Sequence, residues 1–469
     1  MIDKIKIIFF IIPFFCFGKN LTLETRLNPP ARELMDIHIS DSIMIIPGNL
    51  DGYDFFDISD PSFPVHIYNL EIPMGNNNRA QPGFWITGND SLAFISSRNK
   101  GNKSAIINFS DPLNPQYVGA LSFPGENTNG ITLEGLDLMD NFLAVAAHGN
   151  GIFIFDIENY QNPELFYEFQ CENAWDVIFV DTSKIIIGNG EEGLIFKELF
   201  CLSELCAEIY LQTNGAVKDI EIRDNLLYVA EGSAGVSVYD ISEFNSPTFL
   251  GSYNTNGLSN KIALFDENKV AVSDWIDVKI LEWTGAGFEL VGYKNTGKRT
   301  MAIATKDSIV FSAEWQHLQT FIYEQITDPD LDISSWDISF PALEIGESDT
   351  FDIVIENNGQ FPLGIAGPSP SHPDFQVVNF PEYLDVFESR VSQIVYTRSD
   401  QNASGTMALL SNDPDETEIV IQLVGNYDGG IVGIDAPEFS LPIVANGNGD
   451  FTLSDHIGEI VVLVFFAPG

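Results

Sequence analysis

Basic residues are scarce in this chain: 22 Lys and Arg stand against 67 Asp and Glu, a formal charge of −45. A field of that sign repels phosphate backbones and anionic lipid surfaces, which argues against nucleic acid as a partner. The carboxylates are spread through turns and strand ends, the pattern of a solvated surface and not of a disordered acidic tail. Cysteine is rarer still, with only Cys16, Cys171, Cys201 and Cys206. No pair of them has the two-residue spacing of the common redox or zinc motifs. The six histidines (38, 66, 148, 317, 372 and 456) show no metal-ligand spacing, and none pairs with a serine or cysteine motif. They are expected to be surface or core side chains. Phosphate-cradling loops are missing too, since GNGDF at 447–451 has no helix after it.

Long apolar runs are also lacking. The run Ile7–Phe17 is too short for a bilayer core, which needs about 20 residues, and no other stretch approaches that length. Preceded by Lys4 and Lys6 and followed by Gly18, it reads as a secretory signal over residues 1–18. The expected location is therefore the cell envelope or the exterior, with no transmembrane segment. Cys16 offers a second reading as a lipid-attachment cysteine, although Phe15 is bulky where such signals want a small residue. In an oxidising compartment Cys201 and Cys206, five apart across an apparent turn, are the candidate disulfide, with two buried thiols as the alternative.

What the chain has in abundance is β-forming material: 45% hydrophobic residues, including 36 Phe and 14 Tyr. Its 469 residues exceed one hydrophobic core and predict about three domains. Four segments announce a repeat: DISDPSFP at 57–64, NFSDPLNP at 108–115, DIENYQNP at 156–163 and DISEFNSP at 240–247. Steps of 42 residues from Asp156 land on Glu198, Asp240, Glu282 and Glu324, each preceded by a strand-like run. A second marker agrees, an Asp between two apolar runs ahead of each start: Asp41, Asp90, Asp140, Asp181, Asp224, Asp266 and Asp307. Its carboxylate is expected to bond the backbone N–H groups of a hairpin turn.

Each unit thus reads as four short antiparallel strands, the sequence form of a propeller blade. Outer fourth strands follow six of the units, and LTLETRL at 21–27 is expected to supply the seventh and close the ring. The fold class expected is all-β: a seven-bladed β-propeller over 21–331, an Ig-like β-sandwich over 332–430, and the first part of a thioredoxin-like α/β domain over 431–469.

Asp36, Asp176 and Asp219 stand five residues before the turn aspartates of their units, at inner-strand starts facing the predicted channel. Such a partial carboxylate ring suits Ca²⁺, a hard ion that takes oxygen ligands, while the plainer expectation is that these groups bond backbone amides. No other cofactor is expected. The propeller face is the expected site for a protein or glycan partner.

The repeat, with a strand such as GVSVY followed by DIS, a proline turn and FLGSY, resembles the LVIVD-type propeller repeats of secreted bacterial proteins, a resemblance that implies scaffolding and supplies no catalytic residues. FDIVIENNGQFPLGI at 351–365 and LLSNDPDETEIVIQLVG at 409–425 resemble Ig-like domains of the ASH and HYDIN type, which implies a spacer. DAPEFSLP at 435–442 and GDFTLSDHIGEIVVLVFFAPG at 449–469 resemble the opening of a redoxin of the thioredoxin-like superfamily. Ala436, Pro437, Phe439, Leu441, Leu453, Ser454, Asp455, Gly458 and Val461 to Ala467 fill the family's places.

The family's nucleophilic cysteine would fall just past Gly469, so no catalytic residue is assigned within the chain. A longer product, through a broken gene model or a recoded UGA, is expected to carry thiol-disulfide oxidoreductase or peroxidase activity. The alternative is a non-enzymatic adhesion or display protein. A propeller hydrolase using channel carboxylates ranks behind both, for want of a paired motif.

Overall fold

The computed structural model describes residues 19–74, 79–98, 104–124, 131–199, 208–325, 328–399, 403–427, 440–442 and 450–453. It is all-β, with 61% strand and a short 3₁₀ turn at Gly190–Glu192. The chain divides into two compact units, Met1–Thr327 and Asp328–Gly469.

The first unit repeats one motif, a small antiparallel sheet whose strands follow each other in sequence. The third sheet is representative: Leu136–Met139, Phe142–Ala146, Ile152–Asp156 and Glu164–Phe169 pair in that order. Its neighbours in sequence run Ile86–Gly88 to Gln116–Gly119, Asp176–Asp181 to Ile209–Leu211, and Asp219–Arg223 to Thr248–Tyr253. The middle strands, such as FLAVA and IFIFD, are buried on both faces because each sheet lies between two others. Leu143 and Val145 pack with Phe94 and Ile106 of the preceding sheet. Ala144, Ile152 and Ile154, pointing the other way, pack with Val177, Ile185 and Ile187 of the following one. The outer strands Glu164–Phe169 and Thr248–Tyr253 are largely exposed, which is why they carry polar residues.

The turns explain the repeat's spelling. Asp57, Asn108, Asp156 and Asp240 each accept the N–H of the residue two ahead at 2.8–3.0 Å. The intervening residue donates its N–H back across the first hairpin, as Ile157 does to Asn141, and this bond recurs at Ile58, Phe109, Leu199, Ile241, Trp283 and Tyr323. The hairpin aspartates act less uniformly than expected. Asp181 accepts the Ser183 N–H and Asp266 accepts that of Glu267, and in the second sheet Asn89 holds the Ser91 and Leu92 amides in place of Asp90. Asp41, Asp140, Asp224, Asp266 and Asp307 are instead alike in a left-handed backbone, φ 48° to 54°, a conformation Asp tolerates better than most residues.

Two long strands, Lys269–Trp283 and Phe288–Lys306, carry the repeat through its last copies. Lys269–Asp274 pairs with Ser259–Phe265, Asp277–Trp283 with Phe288–Asn295, and Thr300–Lys306 with Ile309–Glu314. Ile309 faces Ile322, so Ile322, and not Glu324, is the equivalent of Asp156. The step of 42 overshoots by two residues: Asp266 and Asp307 are 41 apart, and the connection between the paired residues Ala313 and Leu318 is one residue shorter than that between Ala146 and Ile152. Lys19–Leu27 then pairs antiparallel with Leu318–Gln325, from Lys19 opposite Gln325 to Leu27 opposite Leu318. Leu21 is fully buried there against Val278, Ile280 and Phe321.

The second unit holds two sheets around one core. One runs Leu331–Ile333, Ser348–Asn357, Ser389–Thr397, Phe375–Val378; the other runs Asp337–Pro341, Glu418–Tyr427, Ser404–Ser411, Leu363–Pro370, Tyr383–Leu384. Asp337–Pro341 pairs in parallel with Glu418–Tyr427. Ile353, Ile355, Ile394 and Tyr396 of the first sheet meet Ile365, Leu409, Ile419 and Ile421 of the second. Farther on, Ser440–Pro442 pairs with Asp450–Thr452.

Leu441 lies in that last pair and Leu453 follows it, whereas Ala436, Pro437, Phe439, Ser454, Asp455, Gly458 and Val461 to Ala467 lie outside the described residues. So do residues 1–18 with Cys16, and the pair Cys201 and Cys206. Cys171 is a free thiol, pushed up to about 11 by burial. No helix among the described residues is long and apolar enough to cross a membrane.

Candidate functional site

Segments of seven strands in the first unit face one cavity of about 350 Å³, and Asp36, Asp176 and Asp219 are all on its wall. Each carboxylate ties its own strand to the next repeat. Asp36 Oδ2 accepts the Ile86 N–H at 3.0 Å, Asp176 Oδ2 that of Ile220 at 3.0 Å, and Asp219 Oδ2 that of Ile262 at 2.7 Å. Asp137 does the same for Phe179 at 2.7 Å. Buried N–H groups at strand starts need acceptors, so these carboxylates fix the lateral spacing of neighbouring sheets.

A residue absent from the sequence-derived site completes the arrangement. Lys261 Nζ lies 3.4 Å from Asp36 Oδ1, 3.2 Å from Asp219 Oδ1 and 3.7 Å above the Trp85 ring. Lys261 and Trp85 occupy the same place in their repeats as the aspartates, five residues before Asp266 and Asp90. The offset applied to the remaining turn aspartates gives Gly135 and Ala302. At Gly135 a Cβ would come 2.0 Å from Asp176 Oδ1, so only glycine leaves room for that carboxylate.

The negative charges outnumber the ammonium, and the carboxyls are shifted accordingly. Burial raises Asp36, with Lys261 opposing; burial and the charge of Asp219 raise Asp176; burial lifts Asp219 to about 6. Glu221, also on the cavity wall, is pushed up to about 8 by burial and by the charge of Asp219. Burial alone would lower Lys261, but Asp219, Asp36 and Asp176 together hold it above the ordinary lysine range. Lys261 thus stands between Asp36 and Asp219, and amides also reach these carboxylates, on both oxygens of Asp36 (Ile37 on Oδ1 and Ile86 on Oδ2) and on Oδ2 of Asp219.

Four of the chain's six tryptophans lie at the strand ends on the side where the inner strands begin: Trp85, which is on the cavity wall, and Trp175 just ahead of an inner strand, Trp275 at a left-handed residue (φ 63°) within Lys269–Trp283, and Trp315 between Ile309–Glu314 and Leu318–Gln325. Glu134, fully buried, accepts Trp85 Nε1 at 2.8 Å, Arg98 Nη2 at 2.7 Å and Arg98 Nε at 2.6 Å, and its Oε1 is 2.7 Å from His148 Nε2. Burial disfavours the Glu134 charge, but His148 and Arg98 outweigh it and hold the carboxyl below its ordinary value. His148 Nδ1 meets Asn173 Oδ1 at 2.7 Å, so with an ionised Glu134 on Nε2 both ring nitrogens donate. The imidazole is accordingly raised, chiefly by Glu134. His148, expected as an ordinary surface or core histidine, is thus part of a built polar cluster.

Trp175 gathers the cations of this end. Lys218 Nζ is 3.9 Å above its ring, Arg98 Cζ is 5.3 Å from it, and His148 stands edge-on at 5.1 Å. A second station repeats the chemistry: Arg299 Cζ lies 4.0 Å over Trp275 and 4.9 Å over Trp315. The sequence signal was present in the pairs Trp175-Asp176 and Lys218-Asp219, where the residue just ahead of a channel aspartate is aromatic or basic. In the second unit Asp330, Asp413 and Glu416 bring carboxylate oxygens within 4.8 Å of one another, and Asp413 accepts the Leu331 N–H at 2.7 Å.

With this geometry in view, the chain is an all-β protein of propeller-like build. The LVIVD repeat family model matches residues 214–255. A chain from the crystal structure of the mitotic checkpoint complex is similar over 69% of this chain and 99% of its own, with a TM-score of 0.52 and 11% identity, a likeness of fold alone. A computationally designed protein, Ika8, is similar over 66% of this chain and 100% of its own, with a TM-score of 0.44 and 13% identity. Among curated proteins no relative matches.

Proposed function

We propose that this is a secreted or envelope-associated modular binding protein. Its first unit is a seven-bladed propeller that engages a partner through the tryptophan-lined mouth of its channel. An Ig-like spacer follows, and residues 431–469 open a redoxin module whose thiol chemistry belongs to a longer product. The observation that carries the binding role is two aromatic–cation groups on the side where the inner strands begin, Trp85 and Trp175 with Arg98 and Lys218, and Trp275 and Trp315 with Arg299, in an otherwise strongly acidic chain. Aromatic and arginine side chains are the residues that dominate recognition surfaces. Seven strand segments around one cavity, the pairing of Lys19–Leu27 with Leu318–Gln325 and the LVIVD match support the seven-bladed reading.

The test is comparative capture from the envelope and medium of the source cells, using the full chain and its Trp175→Ala/Arg299→Ala variant. Partners retained by the first and lost by the second support the mouth. Identical captures would refute it. Dithiol-dependent reductase activity of a product extended past Gly469 separates the redoxin reading from a purely adhesive one.

A further inference from the structure

We propose that the cation cluster on Trp175 recognises the carboxylate of a small organic acid, with Lys218 and Arg98 as its anion contacts and the indole beside them as apolar surface. The inference rests on the binding role given to this mouth above and names the ligand chemistry.

Three cations, Arg98, His148 and Lys218, converge on Trp175, and one buried anion, Glu134, answers them. Both Glu134 oxygens are occupied by Trp85, Arg98 and His148. Lys218 is left half-buried on the indole face with no ion pair among the described residues; burial and the charge of Arg98 weaken its hold on a proton, with Glu134 and Glu191 opposing. Arg98 spends two of its five donors on Glu134 and, with its side chain 37% exposed, keeps the others for a ligand. The Trp175 indole N–H has no acceptor among the described residues. An ammonium and a guanidinium thus stand on one indole ring, a pair of donors suited to a carboxylate beside an aromatic surface.

The size of the ligand follows from the rest of the molecule. A chain of formal charge −45 repels a ligand in proportion to that ligand's charge, so a polyanion is disfavoured and a single carboxylate least so. The Trp175 and Phe84 rings flanking Arg98 favour an apolar or planar body behind that carboxylate.

Calorimetric titration of the full chain with phenylacetate, its neutral amide phenylacetamide, and inorganic phosphate tests this. The expected result is saturable binding of phenylacetate with a dissociation constant on the order of 1 mM, and little heat from the amide or phosphate. Lys218→Met should weaken phenylacetate about tenfold, and Lys218→Arg should restore most of it. Equal binding of the amide, or no phenylacetate binding at all, overturns the inference on the unaltered protein, whatever the variants do. If phenylacetate fails while the Trp175→Ala/Arg299→Ala variant still loses a captured partner, the binding mouth stands and only the carboxylate assignment falls.

Discussion

Replacing Glu221 by Gln keeps the shape of a neutral carboxyl on the channel wall and removes its titration. In the folded protein this group is pushed from an ordinary 4.5 up to about 8, by burial first, then by Asp219, Asp137 and Asp36, with Lys261 opposing. The unfolded chain releases that proton earlier, so between the two values the folded state binds more protons and stability falls as pH rises. The slope is about 1.4 kcal/mol per pH unit, and the whole window sets a ceiling of about 5 kcal/mol. Any solvation inside a cavity of about 350 Å³ lowers that ceiling. Urea unfolding followed by tryptophan fluorescence at about pH 4, 6 and 9 reads the effect directly as a shift in midpoint. The variant should match the parent at the acid end and outlast it increasingly toward the alkaline end. A difference between the two proteins that stays constant across this range would refute the argument, because the carboxyl would then be sensing neither burial nor its neighbours.

Lys261→Met should cost about 3 to 5 kcal/mol near neutrality, since it strips the ammonium from buried carboxylates, and the loss should shrink in acid as Asp219 and Asp176 take up protons; thermal melts at two pH values decide it. Leu21→Ala should lower stability by about 2 to 5 kcal/mol, because Leu21 is fully buried where the first strand meets the last; an unchanged melting curve would show that this pairing is not needed. Glu134→Gln should lower the His148 pKa, which a proton-detected titration of the ring measures. In the parent that raised pKa stabilises fully below the ordinary 6.5 and fades as pH climbs through the folded value, so the variant should lose most in acid.

The repeat was readable because its turns are written in backbone chemistry. An Asp or Asn accepting the N–H two residues on leaves the same letters in every copy, and those letters carry the period. The step fails only at Glu324, where a shorter connection moves the equivalent position to Ile322. The three channel aspartates were found by their offset from the turn aspartates, and the same offset carried round the chain would have found Lys261 and Trp85. Residue type hides them, since a lysine and a tryptophan carry no mark of a carboxylate ring. The mouth was harder to see. Glu134 and His148 share one copy, 14 residues apart, but Arg98 and Lys218 come from two others, and none of the three copies spells an obvious motif.

The stitch between Lys19–Leu27 and Leu318–Gln325 also governs when this unit can exist. Its first strand has no mate until nearly three hundred further residues have been made, as far as the register from Lys19 to Gln325 reaches. Contacts of such separation are slow to form, and until they do the array keeps two raw margins with unsatisfied amides and carbonyls. A chain cut short before residue 318 would therefore leave Lys19–Leu27 without its partner strand, an open edge prone to association.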